Sequence, residues 1–402
     1  MKTKVFNIVL ITVLLHTALF AQKNPPGPQA FNELRRLESM REEINSKVSE
    51  KLSKSLAKLN GLEKFSLSEF QVPSIEIPEL PCELPYQEGS AGISIERSKT
   101  VVREYKVDGN DKLLLNNQFG NVTVNVWNNN SVKVEIEIKA FERTDERAEE
   151  LLQSVSISES KETNLISFTT NITRENRNGD WWGIRRSNGV TERRGVQVNY
   201  TVYMPAKNPL DVTNEYGNTT LPALTGVVTA NCSYGNFKAD KLLNPNNKIK
   251  VAYGKANIAS LQAANLDISY GGLVLESADK LDANVSYSSA KIGKLTGDGE
   301  LNVRYCGGFK IDEIDKRIKS LNVNASYSSV SLGFQPAASL DFDVTVSYGG
   351  FNYGDDRVVV VSQSPDDNSR GPHFTKNYKG QIGKGSDAKV VVNSRYGSVH
   401  FN

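Results

Sequence analysis

Alternation of apolar and polar residues dominates the second half of the chain, and each alternating run ends in a tyrosine. One such run contains Leu281, Ala283, Val285 and Tyr287, with polar residues between them. The pattern recurs at nine tyrosines followed by a small residue: Tyr216, Tyr234, Tyr253, Tyr270, Tyr287, Tyr305, Tyr327, Tyr348 and Tyr396. From Tyr216 to Tyr348 they are 18, 19, 17, 17, 18, 22 and 21 residues apart. A period near twenty is typical of solenoids, in which stacked repeats bury a shared core.

The repeat predicts a parallel β-solenoid, with one strand before each tyrosine and a second short strand after it. Alternate residues of a strand share a face, so the tyrosine is expected on the core-facing side at the end of its strand. Gly or Ser then turns the chain, and Asn, Asp, Ser and Thr at outward positions form a polar wall. The crossover preference of parallel strands predicts a right-handed solenoid. The period would also suit a left-handed hexapeptide helix, but no six-residue sub-period is visible.

The region before the tyrosine repeats is also predicted to be β-rich. Val132, Val134, Ile136 and Ile138 alternate with charged residues, as in a strand with one buried face. Further expected elements are strands at 154–158, 164–171 and 196–204, a short polar helix at 142–153 and a long loop at 173–195. After Tyr348, the 48-residue separation to Tyr396 is interpreted as one more repeat with a polar insertion at 362–385.

Residues 31–60 have a helical pattern instead. Apolar residues recur every three or four positions from Phe31 to Leu59, which predicts an amphipathic helix ~43 Å long at ~1.5 Å per residue. Three ways of covering its apolar stripe remain open: packing on the β body, self-association with another chain, or lying on a membrane surface. The mixed charges of its polar face disfavour the last. Four prolines within residues 71–85 favour an extended linker.

The ends and the charge of the chain bound its class. Lys2 and Lys4 precede an apolar run that reaches Phe20, the pattern of a secretory signal peptide. No later stretch is long and apolar enough to predict a transmembrane helix. The chain has 48 Lys+Arg against 46 Asp+Glu, and this balance argues against a nucleic-acid partner. The expected organisation is a signal peptide at 1–21, the helix and Pro-rich linker at 22–88, an N-terminal β region at 89–210 and the tyrosine repeats at 211–402.

The three cysteines, Cys82, Cys232 and Cys306, are predicted to be small, half-buried thiols. Cys232 and Cys306 belong to repeats four apart, roughly 19 Å at ~4.8 Å per strand. A disulfide requires Cα atoms within about 7 Å, so these two are not expected to pair.

The repeats resemble the bacterial putative-adhesin family of β-strand-repeat (β-helix) envelope proteins of unknown function. The resemblance is carried by Leu113 to Val124 with Phe119-Gly120 inside it, by Asn199 to Pro205, and by Tyr216-Gly217 and the later Tyr-Gly repeats. It covers roughly residues 100–402. It implies an exported β-helical protein and supplies no catalytic residues.

No enzyme motif emerges from the titratable residues. His373 and His400 are far apart and have no Ser, Cys or carboxylate partner at a telling spacing, and no metal-ligand cluster is visible. The candidates for a polysaccharide lyase or hydrolase would be outward-facing carboxylates on neighbouring repeats: Asp267, Asp282, Asp341 and Asp343. Asp and Asn also keep a solenoid soluble, so these residues favour a polar surface over catalysis.

Two further features have a structural and a functional interpretation. The Asp108-Gly109-Asn110-Asp111 segment resembles part of a calcium loop but lacks the later acidic ligand, so it predicts a turn. The tyrosine row could be a stacking platform for sugars, but its register with core residues favours a packed corner with hydroxyls at the rim.

The segment from Arg174 to Arg194 is the main candidate for ligand binding. It combines two adjacent tryptophans with several arginines, of which the candidate contact residues are Trp181, Trp182, Arg177, Arg185 and Arg186. Trp with Arg is the usual composition of a binding hot spot. The alternative is that one Trp folds back over the sheet while the arginines are solvated.

The sequence therefore favours a non-enzymatic, exported cell-envelope β-solenoid that acts as an adhesin-like binding or structural scaffold, with no cofactor and no metal. The expected partner is an envelope glycan or protein, with self-association through the 31–60 helix as a second contact. The location would be the periplasm, the outer membrane surface or the medium. Two alternatives remain, a carbohydrate-active β-helix enzyme and a periplasmic partner of an envelope-sensing system.

Overall fold

The computed structural model describes residues 94–173, 183–187, 190–354, 356–365 and 373–402. The predicted signal peptide, the 31–60 helix, the Pro-rich linker and Cys82 lie outside the described residues. Within these ranges, no helix has the length and apolar character needed to cross a membrane.

The described part of the chain contains 26 strands and one helix. The first strands are β1 Ile95–Lys106, β2 Lys112–Gln118, β3 Val122–Val126, β4 Ser131–Glu142, β5 Val155–Glu162, β6 Leu165–Ile172, β7 Gly183–Ser187, β8 Val190–Met204 and β9 Leu210–Glu215. The middle strands are β10 Thr219–Leu221, β11 Val228–Ser233, β12 Phe237–Leu242, β13 Asn247–Ala252, β14 Lys255–Ser269, β15 Gly272–Ser286, β16 Ser289–Leu295, β17 Gly299–Arg304 and β18 Gly308–Ile314. The last are β19 Ser320–Ser326, β20 Val330–Phe334, β21 Leu340–Ser347, β22 Phe351–Tyr353, β23 Val358–Ser364, β24 Thr375–Ile382, β25 Lys389–Arg395 and β26 Val399–Phe401.

The predicted short helix is confirmed as α1, Asp145–Gln153. The Thr144 side chain caps it by accepting a hydrogen bond from the Arg147 N–H, and Ala148 and Leu152 are its buried residues. The predicted loop at 173–195 is wrong in part, because β7 pairs antiparallel with the first residues of β8.

One ladder of strands is formed mainly by the segments that precede Phe119 and each repeat tyrosine, where the chain turns a corner. We call it the front ladder. Its spatial order is β5, β6, β2, β9, β11, β13, the second half of β14, the second half of β15, β17, β19, β25, β21, β24 and β23. All pairs from β6 to β21 are parallel. Antiparallel pairs close both ends, β5 with β6 and β21 with β24.

A second ladder is formed by the segments that follow each corner, and we call it the rear ladder. Its spatial order is β1, β4, β8, β3, β10, β12, the first half of β14, the first half of β15, β16, β18, β20, β26 and β22. It is antiparallel from β1 to β8 and parallel beyond. The predicted all-β class is confirmed, and the sheet as a whole is mixed rather than purely parallel.

The C-terminal strands do not follow sequence order. The chain was expected to add Tyr396 beyond Tyr348 as a last repeat. Instead β25 lies between β19 and β21, and β26 lies between β20 and β22. The expected polar insertion at 362–385 is wrong as well, since β24 runs through it and pairs antiparallel with β21 and β23.

The core lies between the two ladders and runs the length of the repeats. Inward positions alternate with outward ones, so Leu266 and Ile268 of the front ladder and Leu273 and Leu275 of the rear ladder are buried. Each such side chain contributes ~1.5–3 kcal/mol when removed from water. Cys232 and Cys306 are both free thiols, as predicted, but they are buried in this core rather than half-buried.

Candidate functional site

Each repeat turns from the front to the rear ladder at its aromatic residue. Phe119 and the nine repeat tyrosines all have a positive φ, between 51° and 61°. The left-handed region costs an L-residue roughly 1–2 kcal/mol. Regular hydrogen bonds hold the corner: the Tyr287 N–H donates to the Arg304 carbonyl at 3.0 Å and the Tyr327 N–H to the Arg395 carbonyl at 2.8 Å.

The aromatic rings form one continuous stack, which we call the aromatic row. In spatial order it is Phe119, Tyr216, Tyr234, Tyr253, Tyr270, Tyr287, Tyr305, Tyr327, Tyr396, Tyr348 and Phe374. The Tyr234 and Tyr253 centroids are 4.6 Å apart, and those of Tyr348 and Phe374 are 5.2 Å apart. This spacing follows from the ~4.7–4.9 Å separation of strands. Aromatic pairs stabilise by ~0.5–1.5 kcal/mol beyond area burial, which offsets much of the corner strain.

The parity argument placed the tyrosines in the core, and this prediction is wrong in one respect. The left-handed corner breaks the alternation, so the residue after the tyrosine faces inward and the ring lies at the rim. Ser288, Cys306 and Ser328 accordingly are buried, whereas Tyr287 is half-buried and Tyr305 is exposed. The hydroxyls of Ser288 and Ser328 hydrogen-bond to backbone of the same corner and of the neighbouring repeat.

Most other repeats carry glycine at this inward corner position because the backbones touch. A Cβ on Gly235 would lie 2.0 Å from the Gly217 carbonyl oxygen, and a Cβ on Gly217 would lie 1.9 Å from that of Gly120. No side chain fits there without moving a strand. The Tyr-Gly dipeptide is therefore a unit, in which the tyrosine ring stacks on its neighbours and the glycine lets the backbones of adjacent repeats come into contact.

The aromatic row presents edges rather than faces over most of its length. Neighbouring rings cover both faces of each internal tyrosine, so sugars cannot stack on them as on an open platform. Exposure is greatest toward the C-terminal end: the exposed fraction is 44% for Tyr305, 43% for Tyr327, 38% for Tyr348 and 54% for Phe374.

Outward side chains of the front ladder form a wall beside this exposed part of the row. Four asparagines lie in register on β15, β17, β19 and β25: Asn284, Asn302, Asn324 and Asn393. Asn302, Asn324 and Asn393 each donate to the preceding amide, with Nδ2–Oδ1 distances of 3.2, 3.2 and 3.1 Å. Arg304 and Arg395 lie two residues closer to the row on β17 and β25, and both are exposed.

A shallow cleft of about 260 Å³ lies on this wall. Its polar lining consists of Asn324, Ser326, Thr345, Ser347, Asn393 and Arg395, with Ala325 and Ser394 at its base. The cleft is open to solvent, so it suits a ligand that lies across the surface rather than one that is enclosed.

The hydroxyls of Tyr305, Tyr327 and Tyr396 have raised pKa values and stay protonated at neutral pH. Burial raises the pKa of Tyr305, Tyr327 and Tyr396, and neighbouring tyrosines raise it further. Arg304 and Arg395 act in the opposite direction, which reflects how near the guanidinium groups are to these rings. These tyrosines can therefore donate hydrogen bonds to a ligand.

The carboxylates proposed for an enzyme do not form one group. Asp282 on β15 and Asp343 on β21 are separated by three strands, roughly 19 Å at ~4.8 Å per spacing. Glycoside hydrolysis needs two carboxyls within about 10 Å, so the candidates divide into two pairs, Asp267 with Asp282 on the adjacent strands β14 and β15, and Asp341 with Asp343 on β21. Asp343 accepts a hydrogen bond from Asn377 at 2.6 Å, and Asp267 lies 3.8 Å from the Lys250 Nζ. None of the four candidates lines the cleft.

The segment from Asp108 to Asp111 is a turn, as predicted. The Asn110 N–H donates to Asp108 Oδ1 at 2.7 Å, and the Asp108 N–H donates to Asp111 Oδ2 at 2.8 Å, so both carboxylates serve the backbone. Over the part of the chain that the structure describes, no group of three or more metal-ligating side chains is present.

The Trp/Arg candidate is only partly covered by the structure. Arg177, Trp181 and Trp182 lie outside the described residues. Arg185 and Arg186 lie on β7, in register with Glu192 and Thr191 of β8. Their role in binding stays a prediction.

Sequence reasoning missed Arg304 and Arg395. A signal was present: the residue directly before the tyrosine is Ser in most repeats, so Arg at this position is unusual in the chain. Their proximity could not be read from sequence, because it depends on β25 being placed next to β19.

Comparison with known proteins matched no family model and no curated protein. Among solved structures, the chain is similar to a putative adhesin from Bacteroides fragilis, at 12% identity and a TM-score of 0.35, over 76% of this chain and 97% of that one. It is similar to a putative cell adhesion protein from Clostridium sporogenes, at 11% identity and a TM-score of 0.19, over 76% and 99%. A putative lipid binding protein from Parabacteroides distasonis matches at 10% identity and a TM-score of 0.26, over 78% and 98%. Two of these descriptions name the kind of protein that the Tyr-Gly repeats resemble.

Proposed function

We propose that this chain is a non-enzymatic protein of the cell envelope whose repeats form an adhesin-like binding scaffold. The observation that carries the proposal is the open wall of the front ladder beside the aromatic row. Outward side chains recur there in register from β15 to β25, so an elongated ligand meets equivalent groups along one line. Small molecules generally bind in enclosed pockets, whereas the cleft on this wall is shallow and open to solvent.

In this proposal the two ladders are the sides of a parallel β-solenoid, right-handed by the usual crossover preference. Residues 1–21 direct export, residues 22–88 supply the amphipathic helix and linker, residues 89–210 begin the β body and residues 211–402 complete it. Self-association through the 31–60 helix would place several walls side by side and increase avidity for a repeating ligand.

The Trp/Arg segment is proposed as a second contact for the same class of ligand. Trp181 and Trp182 with Arg177, Arg185 and Arg186 have the composition of a binding hot spot. Support for this contact comes from composition alone.

The test is binding of the chain without residues 1–21 to polysaccharides extracted from bacterial envelopes, followed by calorimetry and by analysis of glycan length. Saturable binding with unchanged glycan length is expected. Release of shorter or unsaturated sugars would support the enzyme alternative, and absence of binding to every extract would overturn the scaffold proposal.

The Trp/Arg contact is tested in the same assay with a Trp181→Ala/Trp182→Ala variant. Weaker binding at unchanged thermal stability is expected. Unchanged binding together with lower thermal stability would assign these tryptophans to folding instead.

A further inference from the structure

The exposed end of the aromatic row has small residues on its rear side and, beside Tyr327 and Tyr348, on its front side. Toward the rear ladder, a Cβ on Gly307, Gly308 or Gly350 would meet no atom within 4 Å. Toward the front ladder, Ser326 and Ser347 precede their tyrosines. Ring edges and hydroxyls therefore stand above the surface as a ridge, and a flat ligand can lie along either side of it.

Arg304 and Arg395 provide positive charge on the front side of this ridge. We call each level of the stacked strands a rung. Strand β19 lies between the strands of Arg304 and Arg395, so these two residues are two rungs apart, roughly 10 Å at ~4.8 Å per rung. Among the described residues, neither forms an ion pair with a carboxylate. The Arg395 guanidinium carbon lies 5.8 Å from the centre of the Tyr396 ring, so one of the two cations is held against the ridge.

Carboxylates on the same wall lie away from these arginines. Glu300 is four residues before Arg304 on β17, at the far end of the strand. Asp343 is held by Asn377 and lies 3.6 Å from the Lys379 Nζ. The strip nearest the ridge is thus positive along the rungs from β17 to β25.

The four in-register asparagines Asn284, Asn302, Asn324 and Asn393 form a line parallel to the ridge, which we call the asparagine line. It adds groups that can hydrogen-bond a ligand. Within the line Asn302 and Asn324 each donate one N–H and accept one hydrogen bond, whereas Asn284 only accepts and Asn393 only donates, so every amide retains a donor and an acceptor site. Asn324 and Asn393 open directly into the cleft, next to Arg395 and Ser326.

We infer that this strip binds an acidic polysaccharide that carries carboxylates and lies along the repeat axis. Arg304 and Arg395 would each receive a carboxylate two rungs apart, as on alternate sugars of an extended chain. Asn324, Asn393 and the tyrosine hydroxyls would hydrogen-bond the sugar hydroxyls, and the apolar faces of the sugars would lie along the ridge. This assignment rests on the proposed scaffold function and names its ligand class.

The test compares three soluble probes on the chain without residues 1–21: hexagalacturonate, neutral maltohexaose and heparin hexasaccharide. Hexagalacturonate is expected to bind at least about tenfold more tightly than maltohexaose, and more weakly as salt is raised. Arg304→Gln and Arg395→Gln should each weaken it about tenfold, as expected for the loss of one charge-assisted hydrogen bond. Arg395→Lys should retain part of the affinity, because the charge remains while the planar fork is lost.

Arg147→Gln is the matched control, since Arg147 is an exposed arginine on α1 at the other end of the body. It should leave hexagalacturonate binding unchanged, and all variants should keep the unmodified melting temperature. Equal binding of maltohexaose, or full affinity in the Arg304→Gln/Arg395→Gln double variant, would overturn the inference and leave the scaffold function standing. Because heparin carries sulfates in addition to carboxylates, tighter binding of heparin than of hexagalacturonate would overturn the preference for carboxylates. Failure of every envelope extract and every probe to bind would overturn the scaffold function itself.

Discussion

At the scale of single residues, the Tyr-Gly dipeptide solves two problems that conflict in an ordinary turn. The corner needs a left-handed residue, where glycine would be cheapest, yet tyrosine occupies it in every repeat from Tyr216 onward. Stacking at 4.6–5.2 Å explains this choice, because glycine would relieve strain and lose the ring contacts. The glycine that follows is required because the backbone of the neighbouring repeat lies too close for a Cβ, and not because of its own φ.

Gly235→Ala tests this division of roles. The new Cβ would lie 2.0 Å from the Gly217 carbonyl oxygen, so we expect a loss of about 3 kcal/mol of unfolding free energy, as for an overpacked core. Urea denaturation with the Gly308→Ala variant as control measures it, since a Cβ on Gly308 would meet nothing within 4 Å. Equal urea midpoints for the two variants would show that adjacent repeats can move apart to accommodate the new Cβ without losing stability.

At the scale of elements, the last two strands complete the core instead of ending it. β25 and β26 fill the rung between β19–β20 and β21–β22, so four strands depend on residues close to the C-terminus. Phe401 is fully buried and contacts Phe334, Phe342 and Phe351 at ring distances of 5.0, 5.5 and 4.9 Å. Because β21 and β22 pair with β25 and β26, they cannot reach their final partners until residues 389–401 are available.

Phe401→Ala should therefore be costly, because it empties a fully buried ring position between two rungs of the core. We expect a loss of ~3–5 kcal/mol, the range for a buried Phe→Ala change, measured by chemical denaturation. Phe374→Ala is the control, because Phe374 is 54% exposed and should lose less than about 1 kcal/mol. Slow amide exchange of Val399 and Asn402, which donate to the Gly350 and Leu332 carbonyls, is expected alongside. Fast exchange at these amides would contradict the inserted rung.

At the scale of the whole molecule, both ladders are parallel along the repeats, and antiparallel pairs close both ends of the front ladder and the N-terminal end of the rear ladder. An open parallel ladder would expose a full row of unpaired backbone groups to any other chain. At the C-terminal end of the front ladder, β24 covers β21, and β23 follows as a strand interrupted by a register shift between Val360 and Ser362. At the N-terminal end, β1 is the edge strand of the rear ladder and carries charged residues along its length. These features limit edge-to-edge growth.

Removal of the C-terminal cover should promote association. We would replace residues 356–385 with five Gly and Ser residues, the number that connects β20 to β21 in the chain. The bare β21 edge is expected to give larger, concentration-dependent assemblies than the unmodified chain, measured by light scattering after size exclusion. Val361→Lys, at a residue 72% exposed on β23, is the control that keeps the cover and should not increase assembly. An unchanged mass for the shortened chain would show that β24 is not needed to protect the edge.

Local pattern was enough to predict much of this architecture. Strict alternation predicted strands such as β4 and the inward positions of β14 and β15, because side-chain direction in a strand depends only on residue parity. The period of the tyrosines predicted that like residues would stack, and the rings do so. The small helix, the turn at Asp108 to Asp111 and the free state of Cys232 and Cys306 also followed from spacing and residue type.

Tertiary structure decided whatever depended on chain direction or on distant segments. Parity failed at the tyrosine because one left-handed residue reverses the alternation, a backbone choice that only the stacked neighbours stabilise. Sequence order failed at the C-terminus because β25 pairs with strands that lie more than forty residues earlier. That insertion brings Arg395 within two rungs of Arg304 and completes the asparagine line. The sequence by itself thus determined the repeat and its buried face, and only the packing of non-adjacent strands assembled the surface that is proposed to bind.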